Sequence, residues 1–111
     1  MDEVVRRGIR LFNEGEFFRC HEVLEEAWTV ERGPRRLFLQ AIIHVAVGLY
    51  HSQRSNPLGA GRQLGKALRK LAPYLPSYEC IDTARLYADT LAIARSIDEG
   101  AEVTEYPRIY C

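Results

Sequence analysis

His21 and Glu25 are the residues of this 111-residue chain whose types and spacing could carry chemistry. They stand i, i+4 within Phe17-Phe18-Arg19-Cys20-His21-Glu22-Val23-Leu24-Glu25-Glu26-Ala27-Trp28. On a helix, that separation lets two side chains hold one metal ion or hydrogen-bond each other. Projected at 3.6 residues per turn, Phe17, Leu24 and Trp28 form an apolar stripe. His21 and Glu25 fall inside or beside it, while Arg19, Glu22 and Glu26 project to the opposite side. The projection therefore aims an imidazole and a carboxylate at a core, where a carboxylate must be paired, hydrogen-bonded or bound to a cation.

Two donors do not complete a metal site, and the next helix is the available supply of others. The segment from about Arg35 to Gln53 is the most apolar of the chain, with Leu37, Phe38, Leu39, Ile42, Ile43, Val45, Ala46, Val47, Leu49 and Tyr50 covering nearly its whole circumference. Such a helix belongs at the centre of a bundle. Its one polar line is Gln40, His44 and His51, and facing that line to His21 and Glu25 would satisfy both. One reading is a divalent ion held by His21, Glu25 and His44. Trp28 would wall the pocket, with Gln40, His51 and Glu22 around it. Imidazole and oxygen donors without thiolate suit zinc, manganese, iron or nickel. The alternative is a buried His–Glu network that fixes how the two helices register, in a protein whose function is interaction rather than catalysis.

Known catalytic patterns fail on the residues. His21-Glu22-x-x-Glu25 has the zincin spacing, but Glu25 stands where a second histidine is required. No Glu precedes His21, His44 or His51 by three residues, as a di-iron bundle demands. A P-loop, a dinucleotide fingerprint and a nucleophile elbow are all absent. Cys20 and His21 are adjacent on a helix, diverge by about 100° and do not face each other. No reaction is assigned from the sequence.

The elements that must position these residues read as an all-α, single-domain bundle of about five helices over residues 1–111, with the apolar third helix central and an extended C-terminal tail. The first helix, Asp2 to Glu14, sets Val4, Val5, Ile9, Leu11 and Phe12 against Arg6, Arg7 and Arg10, and Gly15 supplies the left-handed residue that ends it. The second runs from about Glu16 to Glu31 and stops at Gly33-Pro34. After the third, Arg54-Ser55-Asn56-Pro57 breaks the chain, and a fourth helix runs to Ala72-Pro73 with a basic outer face of Arg62, Lys66, Arg69 and Lys70. The fifth spans Glu79 or Cys80 to Asp98 or Glu99. It carries two apolar stripes, one of Ile81, Ala84, Tyr87, Ala88, Leu91 and Ala92 and one of Leu86, Ile93 and Ile97. The second stripe is predicted to meet the tail or another copy of the chain. Val103, Tyr106, Ile109 and Tyr110, with Pro107 among them, make the tail a strap rather than a helix.

Composition narrows the partners. Lys plus Arg and Asp plus Glu number 15 each, so no global field recruits nucleic acid or an anionic membrane. No aromatic residue interleaves with the basic face of the fourth helix, which weakens a nucleic-acid role further. The start Met1-Asp2-Glu3 lacks the features of a signal peptide, and the longest apolar run is too short for a bilayer, so a cytoplasmic location is expected. Three cysteines, Cys20, Cys80 and Cys111, without a C-x-x-C spacing predict reduced thiols, with Cys20 facing the core.

His21, Glu25 and Trp28, with the lead-in Phe12-Asn13-Glu14-Gly15-Glu16-Phe17-Phe18, resemble the hallmark His-x-x-x-Glu-x-x-Trp/Tyr of the domain of unknown function 309 family of bacteria and archaea. Leu39-Gln40-Ala41-Ile42-Ile43-His44 and Pro107-Arg108-Ile109 resemble further family segments. The resemblance implies an all-helical fold and carries the suggestion that His21 and Glu25 bind metal. It implies no particular activity.

Overall fold

A computed structural model describes all residues, 1–111. Five helices follow one another: α1 (Glu3–Asn13), α2 (Phe17–Val30), α3 (Arg35–Gln53), α4 (Pro57–Leu71) and α5 (Thr83–Asp98), with a 3-10 turn at Ala72–Tyr74. Their ends follow from local chemistry. Asp2, Asn56 and Asp82 each take up a free amide of the first turn, at Val5, Gly59 and Arg85 respectively. At the end of α1, Gly15 adopts φ +77°. This lets the amides of Gly15 and Glu16 reach back to the carbonyls of Phe12 and Leu11 at 3.0 and 2.9 Å. That paired closure reverses the chain into α2 and requires a left-handed residue that side chains disfavour.

α3 runs through the middle. Phe38, Leu39, Ala41, Ile42, Val45, Ala46 and Leu49 are all buried, and one contiguous apolar core joins them to residues from every other helix and from the tail. Antiparallel α2 flanks α3 on one side and α4 flanks it on the other, while α1 lies on α2 and α5 lies on α4. Close approach within these pairs relies on two glycines. A Cβ at Gly8 would sit 2.5 Å from Leu24, and one at Gly48 would sit 2.6 Å from Leu64. The leucines occupy the space that the missing side chains leave.

α5 begins later than the sequence suggests. Residues Tyr78 and Ile81 exchange backbone hydrogen bonds of 3.1 and 2.9 Å, Glu79 takes φ +54°, and the helix starts only after the Asp82 cap. The Asp82 amide is meanwhile taken by the carbonyl of Tyr110, so a tail contact sets where the helix can begin. Of the two expected stripes, the inward one is Thr83, Leu86 and Thr90, continued by half-buried Ile93 and Ile97. Ala84, Ala88 and Ala92 face outward.

The tail is a strap, as its composition predicts. Asn13 clamps it with two hydrogen bonds to the backbone of Ile109, donating to the carbonyl at 2.9 Å and accepting from the amide at 2.7 Å. Ile109 is buried, and Tyr106 packs on Phe17 with ring centres 5.5 Å apart. The expectation of three reduced thiols is corrected here: Cys80 and Cys111 form a disulfide, with Cα atoms 4.9 Å apart across a sequence separation of 31. Spacing rules missed it because the pairing depends on the strap returning to the entrance of α5. Cys20 alone is free; it is fully buried, and that burial pushes its thiol up to about 12, which leaves it inert as a nucleophile.

Candidate functional site at the α2–α3 groove

The buried stripe of α2 is Phe17, Cys20, Leu24 and Ala27. Its centre is set as much by the small residues Cys20 and Ala27 as by the large ones. His21 and Glu25 therefore lie about 80° and 120° from that centre on a regular helix. This corrects the expectation that both point into the core. The His21 side chain is 20% exposed and that of Glu25 is 52% exposed, so the pair sits at the surface rim of the bundle. A register-fixing buried network loses its premise, since the carboxylate already meets water.

The local geometry is nonetheless specific. His21 Nδ1 lies 3.0 Å from the Phe18 carbonyl oxygen, which can only accept, so Nδ1 carries the proton and donates it there. That fixes the ring and leaves Nε2 toward Glu25 Oε1 at 3.1 Å. With its one proton at Nδ1, a neutral imidazole turns the Nε2 lone pair toward the carboxylate, an arrangement that a shared cation would satisfy. Beside the pair, Phe18, His21, Val47, Tyr50 and His51 line a small open groove of about 210 Å³. Phe18 is 46% exposed, and its ring lies 5.1 Å from those of both His21 and Tyr50.

His51 belongs to this groove and His44 does not. Asn56 accepts from the Gly59 amide through Oδ1, which turns its Nδ2 toward His51 Nδ1 at 3.3 Å. His51 thus accepts at Nδ1 and, when neutral, keeps its proton on Nε2. His44 turns to the other side of α3: Nδ1 lies 2.8 Å from Gln63 Oε1 and Nε2 lies 3.1 Å from Lys70 Nζ, both on α4. With Nδ1 donating to Gln63 and Nε2 accepting from the ammonium, both ring nitrogens are committed. Burial, aided by the positive charges of Lys70 and Lys66 and opposed by the Gln63 bond, holds His44 below the usual 6.5. The expected His21, Glu25 and His44 set therefore does not converge. No three His, Cys, Asp or Glu side chains gather where one metal ion could be held.

The remaining predicted pocket residues also separate. Trp28 does not line the groove. It is half-buried under Arg36, whose guanidinium lies 4.0 Å from the ring centre and whose Nη1 also donates to the Trp28 carbonyl at 2.6 Å. The indole Nε1 is buried without a partner. Gln40 is half-buried on α3 toward its N-terminal half, and Glu22 is exposed on the outer side of α2. Sequence reasoning gave Phe18 and Tyr50 no place in the site. The signal for them was the antiparallel pairing of α2 and α3, which brings Phe18, near the start of one helix, against Tyr50, near the end of the other.

Comparison with known proteins places this region within a family. The family described as Domain of unknown function (DUF309) matches residues 5–63, just over half of the chain. The chain belongs to this family. The match runs from α1 into the first half of α4 and includes both groove helices, while α5 and the strap lie beyond it. The chain is similar to the uncharacterized protein YpuF of Bacillus subtilis (strain 168), 39% identical over 57 residues that make up 50% of this chain and 33% of that protein. It is also similar to an uncharacterized protein of Aquifex aeolicus (strain VF5), 24% identical over 87 residues, 78% of this chain and 26% of that protein. The chain thus aligns with about a third or less of the length of these relatives. No helix is long and apolar enough to cross a membrane.

Proposed function

We propose that this DUF309 protein is a binding module whose α2–α3 groove takes a ligand at the His21–Glu25 pair, and that a divalent cation is the simplest such ligand. One observation carries the reading: two Lewis bases, His21 Nε2 and Glu25 Oε1, held 3.1 Å apart. Two donors each about 2.1 Å from one ion, bound at nearly a right angle, have about that separation. The hydrogen bond from Nδ1 to the Phe18 carbonyl is the outer contact that metal-bound histidines commonly make, because it fixes the tautomer and raises the basicity of the other nitrogen.

The fit is to two donors and goes no further. His44 is committed to α4, and His51 would have to give up its bond from Asn56 or change tautomer to join. Such an ion would be held weakly and would keep most positions open to water or to a ligand's own oxygen or nitrogen atoms. When bound, it would supply a Lewis acid for those atoms. Phe18 and Tyr50 then offer ring faces to the apolar part of the same ligand. The groove is lined by His21 and His51 but by no Ser, Thr or Cys that either could activate as a nucleophile, and binding is proposed rather than a reaction.

Isothermal titration of untagged protein with Zn²⁺, Ni²⁺ and Mn²⁺ tests this. One equivalent should bind, and affinity should fall by about tenfold or more in His21→Ala and in Glu25→Gln. His44→Ala should leave it unchanged. Equal binding by wild type and a His21→Ala/Glu25→Ala double variant would end the proposal.

A further inference from the structure

A second opening lies elsewhere, between α4 and α5, and is independent of the His21–Glu25 proposal. It is an open groove of about 660 Å³ with Leu58, Gly61, Gly65, Ala94 and Ile97 along it and Arg62 and Arg95 at its sides. Leu58 is 64% exposed, an apolar side chain with no apolar cover. α4 contains no Asp or Glu. None of Arg62, Lys66, Arg69 or Arg95 is in an ion pair, whereas other arginines of the molecule are. Asp98, near the end of α5, is the one acid on the lining.

Beyond Gly59 in the first turn of α4, the helical glycines divide into two kinds. Gly8 and Gly48 make room for Leu24 and Leu64, so the fold itself uses them. At Gly61 a Cβ would meet nothing within 4 Å, and at Gly65 it would meet only the tip of Arg69 at 3.7 Å. Helix-weakening residues therefore stand one turn apart where nothing within the chain comes close, on the floor of an apolar groove with cationic sides.

We infer that this groove docks an acidic amphipathic helix of a partner protein. The two bare backbone positions let a helix approach closely. Leu58, Ala94 and Ile97 would receive its apolar stripe, and Arg62 and Arg95 would meet acidic residues flanking that stripe. The charge favours this occupant over a second copy lying α4 against α4, which would bring Arg62, Lys66 and Arg69 of both copies together. It also favours a helix over a nucleic acid, whose bases would need aromatic or hydrogen-bonding readers that the groove floor lacks.

The experiment is an amide-resolved NMR titration of the full chain with a synthetic peptide of about four helical turns, carrying a leucine stripe flanked by glutamates. Saturable shifts should centre on Gly61, Gly65, Ala94 and Ile97. Binding should weaken by about tenfold or more in Gly61→Leu/Gly65→Leu, whose side chains fill the groove and whose helical circular dichroism should be unchanged. In Arg62→Glu/Arg95→Glu the preference should pass to a peptide with lysine in place of glutamate. The proposal is overturned if a shuffled peptide of the same composition binds equally, or if a DNA oligonucleotide shifts the same amides more strongly. Concentration-dependent self-association of the chain alone, abolished by Gly61→Leu, would also overturn it by assigning the groove to a second copy.

Discussion

The two sides of α3 use histidine in opposite ways. On the α4 side, His44 is inserted between Gln63 and Lys70 with both nitrogens bonded, and Leu64 packs onto Gly48 just beside it. On the α2 side, His21 and His51 border an open groove, and the nearest carboxylate is half in water. Closed seams hold a fold together, while half-satisfied polar groups at an open rim are free to respond to something outside it. The difference explains why His44, which looks as suitable as His51 on a helical wheel, is a structural residue.

Perturbations on the two sides test that division. Leu64→Ala removes the side chain that seals the α4 seam and should cost about 2–5 kcal/mol in denaturant unfolding, because a fully buried leucine leaves a cavity. Phe18→Ala, on the open side, should cost far less while altering the groove. Next in size is the strap. Cys111→Ser, or reduction of the wild type, should lower stability by about 2–4 kcal/mol, since the Cys80–Cys111 bridge closes a loop of some length. Metal titration at His21 should not change, because the strap does not line the α2–α3 groove. Gly48→Ala should then cost about 1–3 kcal/mol by pressing a methyl group into Leu64.

A smaller effect is the response to acid. Because His44 titrates below 6.5 in the folded state, protonation is taken up first by the unfolded chain. Stability should be fully present above about 6.5 and decline as pH falls below it, levelling once the folded protein is protonated as well. His44→Asn should flatten that part of the pH profile measured by thermal unfolding. Smallest of all, His21→Ala should change stability by less than about 1 kcal/mol, as expected for a rim pair, while removing metal binding. If His21→Ala proved as destabilising as Leu64→Ala, the division between seam and groove would be wrong.

Much of the architecture was readable from local pattern. Arg35 to Gln53 was recognisable as a central helix because apolar residues cover it on all sides, and Gly15, Pro57 and Gly100 punctuate the chain where turns are needed. The site was less legible. Drawing the stripe through Phe17, Leu24 and Trp28 without Ala27, and giving core-facing Cys20 no weight in it, rotates the apparent buried face of α2 toward His21 and Glu25. Small side chains contribute little to a hydrophobic pattern, yet they mark where another helix comes closest. The start of α5 was misplaced for a related reason, since its cap depends on the strap that takes the Asp82 amide.

Periodicity, capping residues and turn glycines act within a few positions of the chain, so they establish the five helices, the strap and the i, i+4 coupling of His21 to Glu25 without knowledge of neighbours. Which flank of α2 meets water, which of two histidines on one line of α3 is claimed by α4, and which cysteines meet depend on contacts between segments far apart in the chain. Those contacts are chosen by how the helices pack as solids, through small residues such as Gly8 and Gly48 and the leucines that fill them. That is why the chemical pair is written in the sequence while its exposure, and therefore what it can bind, is a property of the assembled bundle.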